Sequence, residues 1–389
     1  MVQYIICFWI VIMLWLPTVA QTASVPVFTS GSQGYKSYRI PAIVKAPNGD
    51  LLAFAEGRAD GSDDFGNIDI VFKRSHNQGK TWGPLIVLVD YNNLQAGNPA
   101  PVVDLLDPNF PKGRIFLFYN TGNRTESEVR KGNGLREVWY KTSTDGGHVW
   151  STPLNITLQV HRPNQPAINP AYNFKEDWRS YANTPGHGLQ FNLPPYKGRM
   201  YIAANHSAGN PDSHSEDYAA HGFYSDDHGA SFKISAVVPM PGSNESTAAE
   251  LSNGALLLNC RNQKGDIKAR IIALSKNGGE LWDTVFFDHR LPDPVCEGSI
   301  LNVGVQNRRN ILAFCNAADT VNRNKLTLRI SYDEGLSWSG TYLVDEGHDA
   351  ASSDYTAYSD VVKIESHKIG VVYEKADYST IVFTRITWK

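Results

Sequence analysis

The pattern Ser-x-Asp/Asn-x-Gly-x-x-aromatic occurs five times in this chain, from Ser75 to Trp82, Ser143 to Trp150, Ser225 to Phe232, Ser275 to Trp282 and Ser331 to Trp338. Each copy encodes a turn: the Asp or Asn side chain bonds nearby backbone N–H groups, the Gly takes positive φ, and the aromatic pins the turn. Recurrence at spacings of 50 to 82 residues means stacked similar units. Around every turn the same order of short strands is legible. In the first unit these are residues 38–46, 51–57, 68–74 and, after the turn, 85–89; in the second, 101–105, 114–119, 137–142 and 154–158. Corresponding strands centre on Leu189, Tyr201 and Gly222, then on Thr247, Leu256 and Ile271, then on Ile300, Leu312 and Thr327. A sixth unit starts near Tyr358 and stops with residues 380–388, without a boxed turn or fourth strand. Residues 25–30 are the one unassigned strand-like segment and are expected to supply it. The chain therefore reads as all-β: a six-bladed β-propeller of four-stranded antiparallel blades, closed by an N-terminal strand on the last blade, which removes free edges.

Residues 1–20 have the form of a signal peptide: an apolar run from Ile5 to Leu16, then Pro17 and the small-residue end Thr18-Val19-Ala20. A secreted or luminal protein is expected, with an uncleaved signal anchor as the alternative, since no Lys or Arg precedes the apolar run. No linker or composition shift divides residues 21–389, which are expected to form one propeller domain. The net charge of −3 and the lack of a basic run argue against a nucleic-acid partner. Beyond the leader nothing could span a bilayer, so no membrane is expected in the mature form. Three cysteines follow the leader, Cys260, Cys296 and Cys315; either Cys296 pairs with Cys315 or all three are buried thiols.

In an up-and-down blade the start of the first strand, the end of the second and the second-to-third loop share one rim, and the boxed turns lie on the other. Walking round the first rim collects Arg39, Glu56, Arg58, Asp63, Asp64, Glu245, Arg261, Arg323, Tyr358 and Glu374. Three arginines from three blades make a site for a planar anion, because a guanidinium fork matches a carboxylate in geometry and charge. Glu374 is placed to support them. The bland alternative for each residue is a solvated surface charge. His187 and His206 are read onto the same rim. No His/Asp cluster has ligand spacing, so neither metal nor cofactor is implied.

On these residues the chain resembles the exo-α-sialidase family of retaining glycoside hydrolases. The matching elements are Tyr38-Arg39-Ile40-Pro41, Ala53-Phe54-Ala55-Glu56-Gly57-Arg58 leading to Asp64-Phe65-Gly66-Asn67-Ile68-Asp69, and Asn244-Glu245 with Glu250 before Asn259-Cys260-Arg261. Further matches are Arg323 before Leu326-Thr327-Leu328-Arg329, Ala357-Tyr358-Ser359 and Val372-Tyr373-Glu374. The resemblance implies that Arg39, Arg261 and Arg323 bind the carboxylate of sialic acid, with Glu374 orienting Arg39. It makes Asp64 the acid/base, Tyr358 the nucleophile and Glu245 its activating base, with sialylated glycoproteins, glycolipids and oligosaccharides as partners. A phenol suits this substrate, since an anionic nucleophile would meet the carboxylate on the anomeric carbon as a like charge. Asp63 is the solvated neighbour of Asp64. Glu250 is a catalytic-strand residue or a structural partner, and Arg58 either braces the site or lines it. Sugar transfer, a deaminated or altered sialic acid, and a non-catalytic sialic-acid-binding propeller are the alternatives. Sequons stand at Asn123, Asn155, Asn205 and Asn244; next to Glu245, Asn244 is expected to stay unmodified and Asn205 is doubtful.

Overall fold

In the computed structural model, which describes residues 23–347 and 355–389, all five boxed turns are built alike. The Ser Oγ accepts the Gly N–H at 2.7–2.8 Å in every copy: Gly79 to Ser75, Gly147 to Ser143, Gly229 to Ser225, Gly279 to Ser275 and Gly335 to Ser331. The Asp or Asn accepts an N–H four residues on, as Thr81 donates to Asn77 at 2.9 Å and Ser337 to Asp333 at 2.7 Å. Gly79 has φ +77°, and a Cβ there would lie 2.0 Å from the Phe383 ring, so both backbone and space demand glycine.

The strands these turns join form six blades. β1 (Val25–Thr29) precedes blade one, which comprises β2 (Ser37–Lys45), β3 (Leu51–Arg58), β4 (Ile68–Ser75) and β5 (Ile86–Val89). Blade two holds β6 (Gln95–Asp104), β7 (Arg114–Gly122), β8 (Arg136–Ser143) and β9 (Leu154–Asn155), with a short helix α1 (Glu126–Arg130) between β7 and β8 and another, α2 (Thr157–Val160), after β9. Blade three is β10 (Trp178–Asn183), β11 (Leu189–Gln190), β12 (Met200–Ala208), β13 (Tyr218–Ser225) and β14 (Lys233–Ile234). Blade four runs through β15 (Ser243–Glu250), β16 (Leu256–Asn262), β17 (Ala269–Ser275) and β18 (Thr284–Pro292). Blade five has β19 (Gly298–Gln306), β20 (Arg309–Ala317), β21 (Leu326–Ser331) and β22 (Gly340–Asp345). In blade six β23 (Thr356–Glu365), β24 (Lys368–Lys375) and β25 (Thr380–Thr387) are completed by β1, which pairs β25 antiparallel as expected. A single parallel bridge, Ile68 to Gln95, fuses blades one and two into one hydrogen-bonded sheet.

Six hydrophobic clusters among the described residues each lie between neighbouring blades. The box aromatics fill those gaps: Trp82 packs on Phe383 of blade six, Trp150 on Phe54 and Phe72 of blade one, and Phe232 on Phe118 of blade two. The turns are thus wedges between blades.

Three strand expectations need correction. The inner strand of blade two starts at Gln95 rather than at 101, running on through a register shift between Gly97 and Ala100 where Asn98 has φ +53°. Blade three's inner strand begins at Trp178 and is broken before Leu189, because Pro185 offers no N–H and Gly186 has φ +101°. The outer strand of blade two ends at Asn155, whose side chain accepts the Thr157 N–H and starts α2. The three cysteines are free and buried, so no Cys296–Cys315 disulfide forms; burial pushes each thiol up to about 12. The leader lies outside the described residues, within which no helix is long and apolar enough to cross a membrane.

Candidate active site

Inner strands β2, β6, β15 and β23 each shift register at one mouth of the central channel: between Arg39 and Ala42, Gly97 and Ala100, Ser243 and Ser246, and Thr356 and Ser359. Such a bulge bends a strand and re-aims its side chains. The residues turned this way include Arg39, Ile40 at φ +57°, Asn98 at φ +53°, Glu245 and Tyr358, and all line one cavity of about 270 Å³. Glu56, Arg58, Asp64, Arg261 and Arg323 line that cavity as expected, whereas Asp63 and Glu374 do not.

Tyr358 is buried at its centre. Its Oη lies 2.7 and 2.8 Å from the two Glu245 carboxylate oxygens, and Arg261 Nη1 donates to it at 2.7 Å. The same Arg261 nitrogen reaches Glu245 Oε2 at 2.6 Å, closing a triangle. Burial, then the Glu245 charge, pushes the phenol well above its ordinary value, against the pull of Arg261 and Arg323. The resting group is therefore a neutral phenol aimed at a carboxylate able to take its proton.

Glu374 is fully buried and holds two of these elements at once. It accepts from Arg39 Nε at 2.7 Å and Nη2 at 3.3 Å, from the Ile40 N–H at 2.9 Å and from the Tyr358 N–H at 3.1 Å. Desolvation works against the charge on Arg39, and Glu374 more than offsets it, so Arg39 stays a cation. Arg323, on the loop between β20 and β21, donates to the Val295 carbonyl at 3.1 Å.

Asp64 sits on the β3–β4 loop with its side chain 77 % exposed, 2.8 Å from Arg58 Nη1 and 4.0 Å from Arg39 Nη1. Desolvation at the mouth raises its carboxyl, but Arg58, Arg39 and Arg323 prevail and hold it below the ordinary Asp range. Arg58 both lines the cavity and braces the loop: its guanidinium bonds Glu56 at 2.6 and 3.0 Å and the Ser62 carbonyl. Asp63 is exposed.

Several expected neighbours lie elsewhere. His187 is on the opposite mouth, where Asp360 binds its Nδ1 at 2.7 Å, beside a separate apolar cavity of about 490 Å³. His206 is stacked on Trp178 at 3.7 Å inside the blade two–three gap, and burial pushes its pKa down to about 3. The alternation of β12 explains this: Asn205 faces the site cavity, and its neighbour cannot. Glu250 is structural, accepting the Asn192 and Leu193 N–H groups at 2.9 and 2.8 Å. Asp104, Asp107 and His228 do converge between blades two and three, a grouping their spacing conceals, but Gln190 and Arg114 already engage both carboxylates.

Other wall residues escaped the sequence reading: Gln95, Asn98, Glu126, Arg136, Ser180 and Tyr218. The signal for Glu126 was the N-cap pattern Thr125-x-x-Glu128: Thr125 Oγ1 accepts the Glu128 N–H and starts α1, while the Glu128 carboxylate accepts from Lys131 and Asn133. Once there, Glu126 Oε1 accepts from Ser180 and from Tyr218 at 2.5 and 2.7 Å.

Fold and site define a propeller with an arginine-lined anion pocket centred on a tyrosine–glutamate pair. The family described as "BNR repeat-like domain" matches residues 49–382. The chain is 31% identical over 365 residues to a sialidase of Micromonospora viridifaciens, across 89% of this chain and 51% of that protein. It is 27% identical to an exo-alpha-sialidase of Aspergillus fumigatus, across 91% and 85%. Among solved structures, a Hadza microbial sialidase superposes with TM-score 0.76 at 26% identity, over 94% of this chain and 68% of that one. A leech intramolecular trans-sialidase shares the fold at TM-score 0.70 and 15% identity, over 94% and 70%. This chain belongs to the sialidase family of BNR repeat-like propellers. It spans about half the length of the Micromonospora relative.

Proposed function

We propose that this protein is a retaining exo-α-sialidase that releases terminal sialic acid from glycoconjugates through a tyrosyl-enzyme intermediate. The observation that carries the reading is the contact of Tyr358 Oη with both Glu245 oxygens and Arg261 in the middle of the arginine pocket. Arg39, Arg261 and Arg323 bind the sugar carboxylate, which sets the anomeric carbon over Tyr358. As Oη attacks, Glu245 takes its proton, so the substrate carboxylate never faces a preformed phenolate. Asp64 protonates the departing glycosidic oxygen and then deprotonates the water that attacks the anomeric carbon, while Glu245 returns its proton to the departing Tyr358 Oη and the tyrosyl glycoside is cleaved; two displacements give retention.

Arg58, Arg39 and Arg323 hold Asp64 ionised. An arriving carboxylate neutralises part of that field, so substrate binding raises the Asp64 pKa and arms it as the acid. In this reading the mature protein starts at Gln21 outside the cytosol, and intact mass of secreted protein tests that.

Release of fluorophore from an aryl α-sialoside, with Tyr358→Phe alongside, tests the function. Wild-type turnover that falls at least about 1000-fold in the variant is expected. Equal rates would remove Tyr358 as nucleophile. Wild-type binding of the sugar without turnover would make the propeller a sialic-acid-binding protein.

A further inference from the structure

Outside the expected set, Tyr378 contacts two of the three site arginines. Its ring lies under the Arg39 guanidinium at 3.9 Å, and Arg323 Nη1 lies 3.1 Å from its Oη. It also packs on the apolar floor formed by Ile40, Cys296, Ala357 and Tyr358. Stacking on an aromatic face and a hydrogen bond to a phenol both fix guanidinium orientation, and both arginines line the site cavity.

The turn carrying Tyr378 is itself strained and braced. Ala376, Asp377 and Tyr378 have φ of +54°, +52° and +62°, a conformation side-chain-bearing residues seldom adopt and keep only where their surroundings hold them. Those surroundings are the closing N-terminal segment. Ser30 Oγ donates to the Tyr378 carbonyl at 2.8 Å, the Ser30 N–H to the Ser379 carbonyl at 3.0 Å, and Thr380 Oγ1 to the Phe28 carbonyl at 3.0 Å.

We propose that Tyr378 is a positioning residue for carboxylate recognition, clamping Arg39 and Arg323 at a fixed separation, and that the N-terminal closing strand sets that clamp. The proposal rests on the reading of those arginines as the carboxylate site. It assigns a ligand-binding consequence to a segment otherwise needed only to complete blade six.

The test is calorimetric titration of the full chain with N-acetylneuraminic acid, which needs no turnover, together with KM and kcat on the aryl α-sialoside. Tyr378→Phe keeps the stack and loses the bond to Arg323; its Kd and KM are expected to rise about three- to tenfold, with kcat moving less. Tyr378→Leu loses both contacts and is expected to weaken binding further, at an unchanged unfolding temperature for the Phe variant. Should the Leu variant not fold, the Phe variant decides alone: Kd and KM within twofold of wild type overturn the proposal. Binding without turnover in the wild type would sink the hydrolase reading while the Kd series still reads Tyr378. Absence of wild-type binding would overturn both the carboxylate site and the clamp.

Discussion

Glu374 carries more of the site than its single charge suggests, since one carboxylate orients Arg39 and also holds the backbone of the nucleophile's strand. Glu374→Gln keeps the shape but turns an acceptor into a donor against a guanidinium or an amide N–H. Breaking a buried pair on one side typically costs about 3–5 kcal/mol. We expect a fall of that order in unfolding free energy by denaturant titration, together with a KM rise on the sialoside; an unchanged KM would mean Arg39 is oriented by Tyr378 alone. At this scale the sequence was most readable where residue chemistry is scarce. Three arginines, a tyrosine and their carboxylates on one rim admit few explanations. Tyr378 was invisible because Asp377-Tyr378-Ser379 looks like any polar hairpin turn, and its contacts depend on three consecutive left-handed residues. Close-packed glycines were equally silent: a Cβ on Gly97 would lie 2.4 Å from Glu56 Oε1, and one on Gly122 2.3 Å from Arg136 Nη1.

Among elements, the boxed turns fixed strand order and blade number, and most expected strands stand close to their predicted spans, whereas the inner strand of blade two starts at Gln95 instead of 101. The inner strand of blade three failed because Pro185 and Gly186 split it, and the bulges that aim the site residues leave no mark on hydrophobic alternation. The strands of blades two and three also bury His161, His206 and His221 around Trp178 and Tyr181. Burial pushes His206 down to about 3 and the other two well below the ordinary value, so all three are neutral in the folded protein. In the unfolded chain they take up protons near pH 6.5. Folded pKa values below unfolded ones mean that the stability is fully present above pH 6.5 and is lost as pH falls. Each histidine contributes up to about 1.4 kcal/mol per pH unit below that point. Unfolding free energy should therefore drop steeply between pH 6.5 and 5, and His206→Asn should flatten the slope. A flat stability profile across that interval would show that the cluster admits protons when folded.

At the level of the whole molecule, blade six is held shut by a strand from the far end of the sequence, so the ring is closed by hydrogen bonds rather than by the order of synthesis. β1 pairs Val25 with Phe383 through Thr29 with Thr380, and Phe28 stacks on Tyr38 of blade one at 5.3 Å. Phe383 in turn packs against the blade-one box at Trp82. Loss of β1 would expose a row of unpaired backbone groups on β25 and open the cluster between blades six and one. The contact can be weakened without deleting the strand. Phe28 is fully buried, and Phe28→Ala should cost about 3–5 kcal/mol, read as a lower unfolding temperature. A chain starting at residue 31 should lose far more and aggregate through the free edge. Because Ser30 also braces the Tyr378 turn, Phe28→Ala should weaken sialic acid binding before it unfolds the protein, whereas a core truncation of equal cost on the opposite side, Phe191→Ala, should not. Equal Kd values for the two variants would mean that the closing strand holds the ring together but does not set the site.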